Sequence, residues 1–255
     1  MRFIALRLCC LFALVIAGAP IASAAEARVA VASNFTKAAR VLAAAYEQSS
    51  GHTINLSFGS TGLLYAQISQ GAPFDVFLAA DQARPKRAVD DGLAVAGTTL
   101  TYAVGRLVLL SFDEDVPISA SVLGDPRVSR LAIANPATAP YGAAAIEALA
   151  ALDMQAAVAP KLVRGTNVAQ AYQFVFSGSA EVGFVALSQV MDEADGNWWL
   201  VPQALHAPIA QDAVLLTRGA DNIVAIGFLE FLKTDAAREI IAAHGYPADA
   251  PDAQP

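Results

Sequence analysis

The sequence predicts an α/β protein of two lobes, each a mostly parallel sheet flanked by helices, with a cleft between them. Three observations carry that expectation. Short apolar, β-rich runs alternate with amphipathic helical patterns along nearly the whole chain. Five of the helical patterns run into a glycine, the residue that most readily ends a helix. Two strongly apolar runs, 106–111 and 213–217, are placed to act as antiparallel strands crossing between lobes. This division puts 26–104 with 212–250 in the first lobe and 105–211 in the second.

The N-terminus reads as a leader. Arg2 and Arg7 flank a run of apolar residues over 8–19, and the small-residue stretch Ile21-Ala22-Ser23-Ala24-Ala25 follows. That order is the pattern of a secretory signal peptide over 1–25, with cleavage after Ala24 or Ala25. The apolar run is short for a bilayer span, so an exported, periplasmic product is expected. A strand at 27–32 follows, then a helix at 35–49 ended by Gly51, a strand at 53–58, and a helix at 63–70 ended by Gly71. The next pair is a strand at 75–79 and a helix at 84–91 before Gly92. Beyond the first crossover the pattern gives a strand at 131–134, a helix at 143–151, a helix at 168–177 before Gly178, and a strand at 182–186. After the second crossover a single helix is predicted over 223–243, ending before Gly245. The tail is rich in Pro, Ala and Asp, and 251–255 is expected to be disordered.

Composition narrows the function. Cys9 and Cys10 both lie in the leader, so the exported chain needs neither disulfide nor thiolate chemistry. Removing the leader takes two arginines and no acid, leaving 14 basic against 23 acidic residues and a net charge of -9. Such a chain is a poor partner for nucleic acid or an anionic membrane surface. His52, His206 and His244 are scattered without metal-ligand spacing, and no Gly-x-Ser-x-Gly nucleophile elbow occurs, so a secreted hydrolase is the remote alternative and no cofactor is expected.

Four predicted strand-to-helix turns stand out: Ala32-Ser33-Asn34, Gly59-Ser60-Thr61-Gly62, Ala139-Pro140-Tyr141-Gly142 and Gly165-Thr166-Asn167-Val168. The first turn of a helix exposes unpaired N–H groups and a partial positive charge, so it can hold an anion without lysine or arginine. In α/β sheets such turns lie at the carboxyl ends of the strands, where ligands bind. The plain alternative at each turn is a helix cap, since Ser, Thr and Asn cap helices generally. Gly59 and Gly62 bracket Ser60-Thr61 in a way that would let backbone approach a ligand.

At these residues the chain resembles the molybdate-binding proteins of ABC transporters, a branch of the two-lobed periplasmic binding proteins (type II). The resemblance rests on Val31-Ala32-Ser33-Asn34-Phe35, on Ser57-Phe58-Gly59-Ser60-Thr61-Gly62, and on the most specific run, Gly71-Ala72-Pro73-Phe74-Asp75-Val76-Phe77-Leu78-Ala79-Ala80-Asp81. Asn135-Pro136 with Pro140-Tyr141-Gly142, and Gly183-Phe184-Val185-Ala186, complete it. It implies a tetrahedral oxyanion, molybdate or tungstate, held in the cleft by hydroxyls and backbone N–H groups, with the metal bound only as its oxyanion. Ser33 would donate with Asn34 adjacent, Thr61 would donate with Ser60 as the neighbouring alternative, and Tyr141 and Val168 would contribute backbone N–H groups from the second lobe. Some members carry a tyrosine ligand where this chain has Ala186, so another group such as Asn34 must take that contact. The implied partners are a permease and its ATPase, and the chain is expected to act as a monomer. The same fold binding sulfate, phosphate or an organic acid is the closer alternative. Asp75 and Asp81 are read as structural, Asp81 as a helix cap, because a carboxylate beside a dianion is repulsive. Tyr65, Tyr102 and Tyr172 are read as packing or rim residues, and Trp198-Trp199 as a packing pair.

Overall fold

The structure is a computed structural model that describes residues 25–116, 118–191 and 196–246. The expected leader up to residue 24 and the expected disordered tail lie outside the described residues.

The described chain opens with β1 (Glu26–Ala32), α1 (Thr36–Ser50), β2 (Thr53–Gly59), α2 (Thr61–Ser69), β3 (Val76–Leu78), α3 (Ala83–Asp90) and β4 (Leu100–Gly105). It continues through β5 (Leu107–Ser111), β6 (Leu131–Ala134), α4 (Pro140–Ala151), α5 (Gln155–Val158), β7 (Leu162–Gly165), α6 (Val168–Phe176), β8 (Val182–Ala186), α7 (Leu187–Val190) and β9 (Asn197–Leu200). It closes with β10 (Ile209–Leu215), α8 (Ile223–Phe231) and α9 (Asp235–Ala243). The strands form two five-stranded sheets, in the orders β2-β1-β3-β10-β4 and β7-β6-β8-β5-β9. Each sheet has three neighbouring parallel strands and then one strand antiparallel to both of its neighbours. Those two antiparallel strands are β10 and β5, which contain most of the runs predicted to cross. The chain leaves the first sheet at Arg106, the single residue between β4 and β5, and returns between Leu200 and Ile209. β10 joins the first sheet from Ile209, three residues before the expected boundary at 212.

The residue pattern accounts for these elements. In α1 the buried set Ala38, Ala39, Leu42, Ala43 and Tyr46 recurs at helical spacing and packs on the first sheet. β5, β8 and β10 are buried at every position because helices cover both of their faces. The glycines at 51, 71, 92, 178 and 245 all adopt positive φ, between 70° and 88°, at or just beyond helix ends. Tyr172 stacks on Phe176 and meets Phe112 edge-to-face in the second lobe, and Trp199 packs against that lobe's core.

Two expectations need correction. The helix predicted over 223–243 is two helices, α8 and α9, because Thr234 interrupts it. Its hydroxyl donates to the carbonyl of Phe231 at 2.7 Å and accepts from the N–H of Ala237 at 3.3 Å, closing one helix and capping the next. The strands β4, β7 and β9 are absent from the sequence prediction. Each lies at or near a sheet edge, where burial, and with it the apolar signal, is weaker.

Candidate functional site

The turns that open α1, α2, α4 and α6 converge between the two sheets. A small cavity lies among them, walled by Ser33, Asn34, Ser60 and Thr61 of the first lobe and by Tyr141 and Val168 of the second. All six residues expected at the site are therefore brought together. The remaining wall residues are alanine, glycine and proline, so neither a carboxylate nor a cationic side chain lines the cavity among the described residues. Thr61, Tyr141 and Val168 sit in the first turns of α2, α4 and α6, where backbone N–H groups have no acceptor within the helix. Three helix starts thus aim donors and the positive ends of their dipoles at one point.

The side chains separate binding from capping. Asn167 is a cap, accepting from the N–H of Gln170 at 3.0 Å, and it does not line the cavity. Ser60 occupies the corresponding position of α2 and makes no capping bond. Its residue is 3 % exposed and its Oγ is buried without a hydrogen-bond partner among the described residues. A buried hydroxyl left unpaired costs about 1–3 kcal/mol, so its retention on a cavity wall points to a ligand. Thr61 Oγ1 accepts from the N–H of Ala80 at 2.9 Å, which fixes its rotamer and leaves its own proton to donate. Ser33 Oγ is engaged in no hydrogen bond among the described residues.

Asn34 is different. Its Nδ2 donates to Gln211 Oε1 at 2.8 Å and to Tyr246 Oη at 3.0 Å, so both amide protons are committed away from the cavity. Its remaining donor is the backbone N–H. Asn34 therefore does not replace the tyrosine ligand through its side chain. Ala186, where that tyrosine would stand, is fully buried at the start of α7.

Behind the cavity lies a buried polar network that sequence reasoning missed. Gln211 Oε1 accepts from Asn34 and, at 3.1 Å, from Tyr102 Oη. Gln211 Nε2 reaches Tyr141 Oη at 3.5 Å. Tyr246 Oη donates to the carbonyl of Asn34 at 2.8 Å, and Ser188 Oγ donates to the same carbonyl at 2.8 Å. Burial raises the pKa of Tyr102, Tyr141 and Tyr246, well above the usual value for the first two, so all three stay protonated and neutral. The available signal was the polar pair Gln211-Asp212 inside a strand whose other residues are apolar. Tyr102, read as a packing or rim residue, is part of this network.

Gly62 does not bring backbone to the cavity. Its N–H donates to the carbonyl of Thr138 in the facing lobe at 2.8 Å, and a Cβ there would lie 3.0 Å from Thr138 Cα. Asp75 and Asp81 are occupied structurally: Asp75 accepts from the N–H of Arg28 at 2.8 Å, and Asp81 from the N–H of Arg84 at 2.9 Å near the start of α3.

Residues 27–247 match the family model described as bacterial extracellular solute-binding protein. The chain is 49% identical over 225 residues to the molybdate-binding protein ModA of Rhodobacter capsulatus, covering 88% of this chain and 89% of that one. The corresponding protein of Azotobacter vinelandii is also 49% identical, over 88% and 91% of the two chains. A solved structure of the Azotobacter vinelandii periplasmic molybdate-binding protein superposes with a TM-score of 0.83 at 36% identity, covering 87% of this chain and 98% of that one. The chain belongs to the bacterial extracellular solute-binding proteins and groups there with the molybdate-binding proteins.

Proposed function

We propose that this protein captures molybdate or tungstate in the periplasm and presents it to an ABC permease and its ATPase, acting as a monomer. The reading is carried by the cavity itself: neutral donors from both lobes surround a small space with no charged side chain on its wall. Ser33, Ser60 and Thr61 donate through hydroxyls, and Asn34, Thr61, Tyr141 and Val168 through backbone N–H groups. Each hydrogen bond to an ionised oxygen contributes about 1.5–3 kcal/mol, so about seven of them offset dehydration of a dianion without a counter-charge. That choice of donors suits a chain with a net charge of -7, whose overall field opposes anions. Solute-binding transport proteins are not enzymes, and nothing in this arrangement activates a nucleophile.

The same donor set discriminates by protonation. Phosphate near neutral pH retains a proton, which a wall of donors leaves unpaired at a cost of about 1–3 kcal/mol. Sulfate carries the same charge as molybdate and differs in size, so only the closed-cavity dimension separates them. The test is calorimetric titration of the anion-free exported chain with molybdate, tungstate, sulfate and phosphate. One-to-one binding of the first two, with sulfate and phosphate at least ~100-fold weaker, supports the reading. Silence from molybdate and tungstate overturns it.

A further inference from the structure

Tyr141 contributes backbone to the cavity wall, but its hydroxyl points elsewhere, into a socket built by the other lobe. The floor of that socket is Gly105, the last residue of β4 and one residue before the chain first crosses between sheets. A Cβ at position 105 would lie 2.2 Å from Tyr141 Oη and 2.9 Å from Tyr141 Cζ, so only glycine leaves the space. The side is Gln211 of β10, whose Nε2 reaches Tyr141 Oη at 3.5 Å while its Oε1 holds Asn34 Nδ2 at 2.8 Å. Tyr141 is 2 % exposed and Gln211 is fully buried. One glutamine therefore ties the anion-facing turn of the first lobe to the anion-facing helix of the second.

We propose that the Tyr141 hydroxyl, seated on Gly105 and Gln211, is the stop that fixes how far the lobes close, and so sets the spacing between their donors and the rejection of smaller tetrahedral oxyanions. Closure brings buried polar groups together, and such interfaces settle in discrete arrangements rather than sliding continuously. The seat touches no ligand atom, yet it fixes the N–H of Tyr141 relative to Ser33, Asn34 and Thr61. A cavity held open at that spacing grips a large oxyanion from both sides and leaves sulfate, with its shorter bonds, short of donors on one side. Gln211 and Gly105 are thus positioning residues for selectivity. The inference rests on the proposed oxyanion function.

The experiment compares the full exported chain with Tyr141→Phe, Gly105→Ala and the double variant. Molybdate and sulfate affinities are measured by calorimetry, molybdate release by stopped-flow displacement, and the anion-free melting temperature is recorded for each. Tyr141→Phe keeps every backbone donor. It is expected to speed molybdate release about 10-fold, the upper end of what one neutral hydrogen bond contributes, and to narrow the molybdate-to-sulfate ratio by a similar factor. The anion-free melting temperature stays unchanged, because in open lobes the hydroxyl is hydrated. Gly105→Ala fills the socket and costs more affinity, part of which returns when Tyr141→Phe removes the overlapping oxygen. A ratio unchanged in both single variants, with the wild type still selecting molybdate, overturns the stop while leaving the oxyanion reading standing. So does a ratio unchanged beside a lowered melting temperature, which marks a merely structural role. A wild-type chain that binds neither anion removes the function and the stop together.

Discussion

Replacing Ser60 by alanine separates a ligand-binding hydroxyl from a helix cap by the sign of two effects. If Ser60 capped α2, Ser60→Ala would lower anion-free stability by about 1 kcal/mol, which is ~2–4 °C in melting temperature for a chain of this size. Here no capping bond exists, and Ser60 Oγ is buried and unpaired. Deleting it costs the anion-free protein no capping bond, so that protein is expected to melt at the same temperature. The molybdate complex loses a hydrogen bond to an ionised oxygen, about 1.5–3 kcal/mol, so the dissociation constant rises ~10- to 150-fold. Differential scanning calorimetry of the anion-free protein and titration with molybdate provide the two readings. A melting temperature lowered by several degrees with unchanged affinity would return Ser60 to a structural role.

Thr61→Val is expected to behave differently, because Thr61 Oγ1 also accepts from the buried N–H of Ala80. It loses affinity and also about 1–3 kcal/mol of anion-free stability, measurable by urea unfolding. Gly62→Ala should divide the two properties in opposite directions. The anion-free protein gains up to ~1 kcal/mol from helix propensity, while binding weakens because the new Cβ presses on Thr138 in the facing lobe. With neutral donors only, molybdate affinity is expected to be flat between about pH 6 and 9 in a calorimetric series. The raised pKa values of Tyr102 and Tyr246 set a limit at higher pH. Their unfolded counterparts ionise near pH 10 while the folded ones stay neutral, so this stability is complete below about pH 10 and is lost above it, at about 1.4 kcal/mol per pH unit for each tyrosine. Unfolding free energy that stays constant between pH 9 and 11 would contradict their burial as neutral groups.

The sequence made the site easier to read than the architecture around it. Ser33, Ser60, Thr61, Tyr141 and Val168 were legible because strand-to-helix turns have a local signature and the fold places those turns at one edge of each sheet. Whether a given Ser or Asn caps its helix or faces a ligand was not legible, because both uses want the same residue at the same position. Asn167 proved to be a cap and Ser60 did not, a difference that depends on side-chain direction. Gln211, Ser188 and Tyr246 could not be connected to Asn34 from sequence, since the contacts span 154 to 212 positions. The break between α8 and α9 was available in the Lys233-Thr234-Asp235 segment but was outweighed by the apolar periodicity on both sides. β7 and β9 escaped because strands near a sheet edge carry fewer buried residues.

In the proposed function, neutral donors from both lobes hold one tetrahedral oxyanion in the cavity between them. The most direct test is a crystal structure grown with molybdate, with the metal located by its anomalous scattering. A single molybdenum peak is expected in the cavity, with oxygens within ~2.7–3.2 Å of Ser33, Ser60 and Thr61 and of the N–H groups of Asn34, Tyr141 and Val168. Molybdenum bound elsewhere on the chain, or held in the cavity by a lysine or arginine, would contradict it.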